Sequence, residues 1–190
     1  MAKNKKTIFR GVGTALVTPM KNGEVDYPAL RGLIDRQVEL GADALVICGT
    51  TGESATLSDT ERRSCIAAAI EYTNGRLPVI AGTGSNNIEK AAALSRYASD
   101  AGADALLVVT PYYNKATPEG LCRSFLHIAD SSAAPLILYN VPSRTGCDIP
   151  MSVYRELARD GRIAAVKEAS GNPAAAQKII AETDGALDVY

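Results

Sequence analysis

Gly41-Ala42-Asp43-Ala44-Leu45 recurs word for word as Gly102-Ala103-Asp104-Ala105-Leu106. Each copy closes an amphipathic stretch and opens an apolar run. The glycine suits the end of a helix, and the run after it suits a buried strand. One plan used twice points to βα units. Working outward, apolar runs read as strands at Gly13–Thr18, Ala44–Cys48, Pro78–Gly82, Ala105–Thr110, Pro135–Asn140 and Ile163–Ala169, with a seventh beginning near Ala186–Tyr190. Helical stretches lie between them, over Tyr27–Leu40, Asp59–Thr73, Ile88–Ala101, Pro118–Ser131, Pro150–Arg159 and Pro173–Glu182. Ser58-Asp59-Thr60-Glu61 fits a capping box, and Thr117-Pro118 and Asn172-Pro173 each set a cap residue before a first-turn proline.

Strict alternation with a period of roughly thirty residues means a parallel sheet covered by helices. A doubly wound open sheet and a (β/α)8 barrel both satisfy it. An open sheet concentrates its site at one switch point, whereas a barrel collects residues from many strand ends. Polar clusters follow four strand ends here: Thr50-Thr51, Tyr112-Tyr113, Tyr139 with Arg144, and Lys167. The barrel is therefore favoured, as one α/β domain over residues 1–190. A complete barrel takes about 250 residues, so the expectation is an incomplete one: six βα units and the start of strand 7, without the closing strands.

The chain has 190 residues, 46% of them hydrophobic and 22% charged, with a net charge of −1. That balance argues against a nucleic-acid or membrane-surface partner. No segment nears the roughly 18 apolar residues of a membrane span, and the basic start at Lys3–Lys6 lacks the apolar stretch of a signal peptide. The expected address is cytoplasmic. Cys48, Cys65, Cys122 and Cys147 lack C-x-x-C spacing and read as small buried hydrophobes in a reducing compartment. A single histidine, His127, gives no basis for a metal site or a Ser-His-Asp triad.

Lys167 is the residue with the most chemistry. In Ile163-Ala164-Ala165-Val166-Lys167-Glu168-Ala169-Ser170 an apolar run ends in a lysine. A lysine on a buried strand must pair its charge or give up its proton, and a neutral amine is a nucleophile toward carbonyls. A strand-end lysine reaching solvent is the plainer alternative. Tyr139 reads equally as a packed strand-end tyrosine, Thr50-Thr51 as a turn and helix cap, and Arg144 as a solvated charge. Gly82-Thr83-Gly84-Ser85-Asn86 reads as a structural turn, because it lacks the lysine of a phosphate loop.

Together, Gly49-Thr50-Thr51-Gly52-Glu53-Ser54, Tyr139-Asn140-Val141-Pro142-Ser143-Arg144-Thr145-Gly146 and Val166-Lys167-Glu168-Ala169-Ser170-Gly171-Asn172 resemble the dihydrodipicolinate synthase family. Thr14–Pro19 and Thr110–Tyr113 add to the match, which runs from near Gly11 to the end. The resemblance implies a lyase of the class I aldolase type that condenses pyruvate with aspartate semialdehyde, needs no cofactor or metal, and works as a homo-oligomer, a dimer of dimers. It implies Lys167 as the Schiff-base lysine and Tyr139 as the proton shuttle. Thr50 and Thr51 would hold the pyruvate carboxylate, with Thr50 relaying protons between Tyr139 and Tyr113. Tyr113 would reach a neighbouring subunit's site. Arg144 would take the second carboxylate. That arginine and the Gly-Thr-Thr-Gly-Glu wording disfavour the related N-acetylneuraminate lyases. An inactive fragment with an assembly role is the alternative from outside enzymology.

The resemblance also implies a pocket for feedback inhibition by free lysine, matched by Ser54, Ala55, Asn86 and Tyr112. Asp59 and Arg62 stand where histidines are common, and Lys90 where a glutamate would hold the effector's ammonium. Like charge repels, so weak or absent inhibition is expected.

Overall fold

The computed structural model describes residues 7–190; the basic start at Lys3–Lys6 lies outside the described residues. In chain order the elements are β1 (Gly13–Ala15), β2 (Met20–Lys21), β3 (Glu24–Val25), α1 (Tyr27–Glu39), β4 (Ala44–Ile47), α2 (Asp59–Thr73), β5 (Val79–Gly82), α3 (Ile88–Asp100) and β6 (Ala105–Val109). Then come α4 (Pro118–Asp130), β7 (Leu136–Asn140), α5 (Pro142–Thr145), α6 (Met151–Leu157), β8 (Ile163–Glu168), α7 (Pro173–Glu182) and β9 (Asp188–Val189). The expected elements are present within a few residues. Two were missed: the β2–β3 hairpin and the one-turn helix α5. The first strand stops at Ala15, short of the expected Thr18.

The main sheet is parallel throughout and ordered β1-β4-β5-β6-β7-β8-β9. Strand order follows chain order without reversal, so there is no switch point. The sheet is also curled. Laid flat, its six inter-strand steps of about 4.8 Å would hold the outer strands roughly 29 Å apart. Instead Phe9, just before β1, stacks on Tyr190, just after β9, with ring centroids 4.2 Å apart. The two outer strands meet through side chains, and the architecture is the incomplete (β/α) barrel expected from the sequence.

Alternation along each strand builds two apolar layers. Val46, Ile80, Leu107, Ile137 and Ala165 face inward as one cluster. Leu45, Leu106, Leu136 and Val166 face outward and pack with Ile66, Phe125 and Tyr154 of the helices. Helix starts follow the expected chemistry. The Ser58 hydroxyl accepts from the Glu61 N–H at 3.2 Å while Glu61 Oε2 accepts from the Ser58 N–H at 2.8 Å. Thr117 and Asn172 accept from Gly120 and Ala174, each at 3.1 Å.

The repeated pentapeptide has a structural purpose that its wording did not disclose. The Asp43 N–H donates to the Val12 carbonyl at 2.9 Å, and Asp43 Oδ2 accepts from the Val12 N–H at 2.7 Å. Asp104 does the same to Val79, at 2.9 and 2.8 Å. Each aspartate clasps the first residues of the neighbouring strand and sets the register between units. Gly11 makes room for the first clasp: a Cβ there would lie 1.9 Å from Asp43 Oδ2, and its φ is +111°.

Candidate active site

Period-two alternation carries the inward face from Ile137 to Tyr139 on β7, and from Ala165 to Lys167 on β8. A register shift makes the two meet. Leu136 pairs with Ile163 but Ile137 pairs with Ala165, so Ala164 is an extra residue on β8. Without it, Val166 would stand opposite Tyr139; with it, Lys167 does. Lys167 Nζ lies 4.7 Å from the centre of the Tyr139 ring. The lysine is half-buried and the tyrosine is buried. The sequence left open whether this lysine pairs its charge, gives up its proton or reaches solvent. The structure sets its Nζ over the face of the Tyr139 ring.

Lys167 borders a cavity of about 440 Å³. Gly11, Gly13, Val46, Ile80, Leu107 and Ile137 form its apolar wall, so it is the lumen of the curled sheet. Tyr139 borders a second space of about 40 Å³, shared with Thr50, Ser54, Arg62 and Gly84. Among the described residues that line the lumen, Lys167 supplies the amine.

The loop after β4 is held from outside itself. Thr18, just past β1, donates its hydroxyl to the Gly52 carbonyl at 2.7 Å. Within the loop, the Gly52 and Glu53 N–H groups bond to the Gly49 and Thr50 carbonyls, both at 3.1 Å. Cys48 and Glu53 take left-handed φ values of +54° and +52° to make the turn. Among the described residues, no protein group engages the hydroxyl or N–H of Thr50 or Thr51, and both threonines are exposed. They are free donors on a fixed turn. The glycine-rich stretch after β5 is a close-approach turn, as its lack of a phosphate-loop lysine implied. A Cβ on Gly82 would lie 2.2 Å from the Cys48 carbonyl oxygen, and one on Gly84 2.5 Å from the Val109 nitrogen.

Arg144 lies on α5, which starts at Pro142 and closes at Gly146 with φ +66°. It is exposed and, among the described residues, has no acidic partner. Tyr113, in the loop after β6, is 89% exposed with φ +71°, and Tyr112 is 38% exposed. No hydrogen bond links Tyr139, Thr50 and Tyr113 among the described residues. The structure thus brings Lys167, Tyr139 and Thr50 to one end of the lumen and leaves Tyr113 facing solvent.

Around the residues matched to an effector pocket, Ser54 lines the smaller space and Ala55 is exposed. The Asn86 carbonyl accepts from Asn114 Nδ2 at 2.7 Å. Arg62 Nη2 donates to the Gly82 and Gly84 carbonyls at 3.0 and 3.5 Å. Lys90 Nζ lies 3.9 Å from Asp59 Oδ2.

Sequence reading missed a polar group behind the pair. Asn140 follows Tyr139 and Glu168 follows Lys167, and they pair across β7 and β8 on the outer face. Asn140 Nδ2 donates to Glu168 Oε2 at 3.0 Å and to Asp148 Oδ1 at 2.8 Å. The buried Tyr154 hydroxyl donates to Glu168 Oε2 at 3.3 Å. Burial, and then the Glu168 carboxylate, push the Tyr154 hydroxyl well above the usual phenol range. The available signal was the polar residue that directly follows each motif residue in both runs.

The chain matches the Dihydrodipicolinate synthetase family over residues 8–190. It is 54% identical over 185 residues to the 4-hydroxy-tetrahydrodipicolinate synthase of Lachnoclostridium phytofermentans, a match covering 96% of this chain and 63% of that one. The enzyme of the same name from Geobacter sulfurreducens is 50% identical over 182 residues, with the same coverage of 96% and 63%. The chain therefore spans about 63% of the length of these relatives. Among solved structures, the chloride-inhibited dihydrodipicolinate synthase of Acinetobacter baumannii in complex with pyruvate superposes with a TM-score of 0.93 at 43% identity, covering 97% of this chain and 63% of that one. A lysine and a tyrosine at one register on adjacent barrel strands, and relatives of one name over nearly the whole sequence, lead to one conclusion: the chain belongs to the dihydrodipicolinate synthetase family.

Proposed function

We propose that Lys167 forms a Schiff base with pyruvate and that this site serves the condensation of pyruvate with L-aspartate 4-semialdehyde to 4-hydroxy-tetrahydrodipicolinate. The observation that carries the reading is Lys167 Nζ at 4.7 Å from the Tyr139 ring centre, at the rim of the lumen. The free amine of Lys167 attacks the ketone carbon, and the carbinolamine loses water to give a protonated imine. That imine draws electrons from the methyl carbon, which loses a proton and becomes an enamine. The enamine carbon bonds to the aldehyde carbon, whose oxygen takes up a proton. The substrate amine then attacks the imine carbon, closes the ring and releases Lys167.

Tyr139 is the proton shuttle, because a phenol both donates and accepts. The free donors of Thr50 and Thr51 suit the pyruvate carboxylate. Arg144, unpaired on its one-turn helix, suits the second carboxylate through a bidentate contact. Tyr113 faces outward, in the position of a group that completes a relay in a second copy of the chain; a homo-oligomer is part of the reading. Four free thiols accord with a reducing, cytoplasmic compartment. The effector pocket is degenerate, since Arg62 is committed to backbone carbonyls and Lys90 leans toward Asp59. Free lysine at sub-millimolar concentration is expected to leave Schiff-base formation unchanged, and inhibition there would refute this part.

The test is borohydride reduction in the presence of pyruvate, followed by peptide mapping. A pyruvate-derived adduct on Lys167, absent in Lys167→Ala, is expected. An adduct on another lysine, or none at saturating pyruvate, would overturn the assignment.

A further inference from the structure

We propose that Asn140 is a positioning residue for the Schiff-base lysine, acting as a clamp that fixes three parts of the site at once. The inference rests on the role given to Lys167 above. Asn140 is 1% exposed, so its amide must be satisfied within the protein. Both amide hydrogens are used, one to Glu168 Oε2 at 3.0 Å and one to Asp148 Oδ1 at 2.8 Å. Its Oδ1 accepts from the Ile149 N–H at 3.1 Å, and its backbone carbonyl from the Ala169 N–H at 2.8 Å. One side chain thus joins the strand of Tyr139, the strand of Lys167 and the far end of the loop that carries Arg144.

The placement has two chemical consequences. The bond to Glu168 lies one residue beyond the Tyr139–Lys167 pair, where β8 has already absorbed an extra residue at Ala164. A strand with a bulge needs its new register pinned, because a slip of one residue would turn Lys167 out of the lumen. The second consequence concerns charge. Glu168 is the acid nearest Lys167 in the chain. Asn140, Tyr154 and the Ser170 N–H, at 3.0, 3.3 and 2.8 Å, hold its carboxylate on the outer face. Glu168 borders the lumen beside Lys167, and these three bonds engage both of its oxygens away from the amine that must attack pyruvate.

Asn140→Asp tests the clamp with least disturbance of shape. It removes both donors and keeps the acceptor for Ile149. The saturating rate of borohydride trapping is expected to fall by about tenfold or more, as misplacement of a reacting group costs rate. The pyruvate concentration for half-saturation should stay within about threefold, because Thr50 and Thr51 are untouched. Amide hydrogen exchange should speed up at residues 148–149 and 167–169 and not in β4 to β6. The double variant Asn140→Asp with Glu168→Gln reverses donor and acceptor across the same strands at equal total charge. It should restore the trapping rate and the exchange at residues 167–169 to within about threefold of wild type, while residues 148–149 stay fast, because the new carboxylate still faces Asp148 Oδ1.

A folded Asn140→Asp variant with unchanged trapping and exchange overturns the proposal, as does a folded double variant that recovers neither the trapping rate nor the exchange at residues 167–169. Should both fail to fold, Glu168→Ala decides: an unchanged trapping rate there also overturns it. If the wild-type chain gives no adduct, the proposed function falls. The clamp is then judged by hydrogen exchange alone, with the same two variants and the same outcomes.

Discussion

Lys167 and Tyr139 owe their meeting to two-residue alternation plus one inserted alanine, and the hydroxyl of Tyr139 can be separated from its ring. Tyr139→Phe keeps the aromatic face under Lys167 Nζ and removes the proton donor. If the hydroxyl moves protons, the trapping rate with pyruvate should fall by about 10²-fold or more while the fold and the Lys167 adduct persist. A rate within about threefold of wild type would leave the tyrosine only a packing role. Lys167 was singled out in the sequence because it ends an apolar run, whereas Tyr139 by itself reads as a packed strand-end tyrosine and was singled out by its motif. Thr50, Thr51 and Arg144 were legible only through their motifs, since each alone reads as ordinary turn chemistry. Asn140 and Glu168 were not legible as a pair. Their partnership depends on the register between β7 and β8, and that register turns on a bulge in the tandem alanines Ala164-Ala165, which carry no pattern of their own.

The elements themselves were largely readable, because buried parallel strands are nearly continuous apolar runs and capped helices announce their starts. The hairpin and α5 escaped because a two-residue strand and a single helical turn are too short to show a period. The aspartates of the repeated pentapeptide show how elements are joined. Asp104→Ala leaves the Val79 N–H at the start of β5 without its acceptor, at 2.8 Å in the native chain. The expected loss is about 1–3 kcal/mol in chemical denaturation. Asp104→Asn keeps an acceptor oxygen and should lose less than half as much. Equal losses would mean that charge rather than the clasp matters. The tie between α6 and β8 makes an alkaline prediction. The folded state holds Tyr154 protonated to higher pH than the unfolded chain does, for which the ordinary value is about 10. Above that value the unfolded state binds fewer protons than the native state, so stability is full below it and is lost as pH rises beyond it. Tyr154→Phe should flatten this alkaline loss, at a cost of about 1 kcal/mol near neutral pH for the lost bond to Glu168. Parallel stability profiles for the native chain and the Tyr154→Phe variant above about pH 10 would refute the link.

At the scale of the whole molecule, the curl of the described sheet brings β1 near β9, which are not hydrogen-bonded neighbours. Among the described residues, Phe9 and Tyr190 stack across that gap with planes 9° apart, and the Tyr190 hydroxyl donates to the Phe9 carbonyl at 3.0 Å. Both rings also line the lumen that Lys167 borders. If the stack closes the sheet, Phe9→Ala and Tyr190→Ala should be strongly non-additive, with a coupling of about 1 kcal/mol in a double-mutant cycle. Tyr190→Phe, which keeps the stack and drops the hydroxyl, should lose about 1 kcal/mol by itself. It should also remain coupled to Phe9→Ala. The same variants connect closure to chemistry. An opened seam admits water along the apolar wall of Val46, Ile80 and Leu107, and an imine in a wetter site hydrolyses more readily. Phe9→Ala is therefore expected to lower the steady-state fraction of Lys167 trapped by pyruvate, with Tyr139 and Thr50 intact. Additive losses of stability, together with trapping equal to wild type, would show that the outer strands stay together without the stack and that the lumen is sealed by its strands alone.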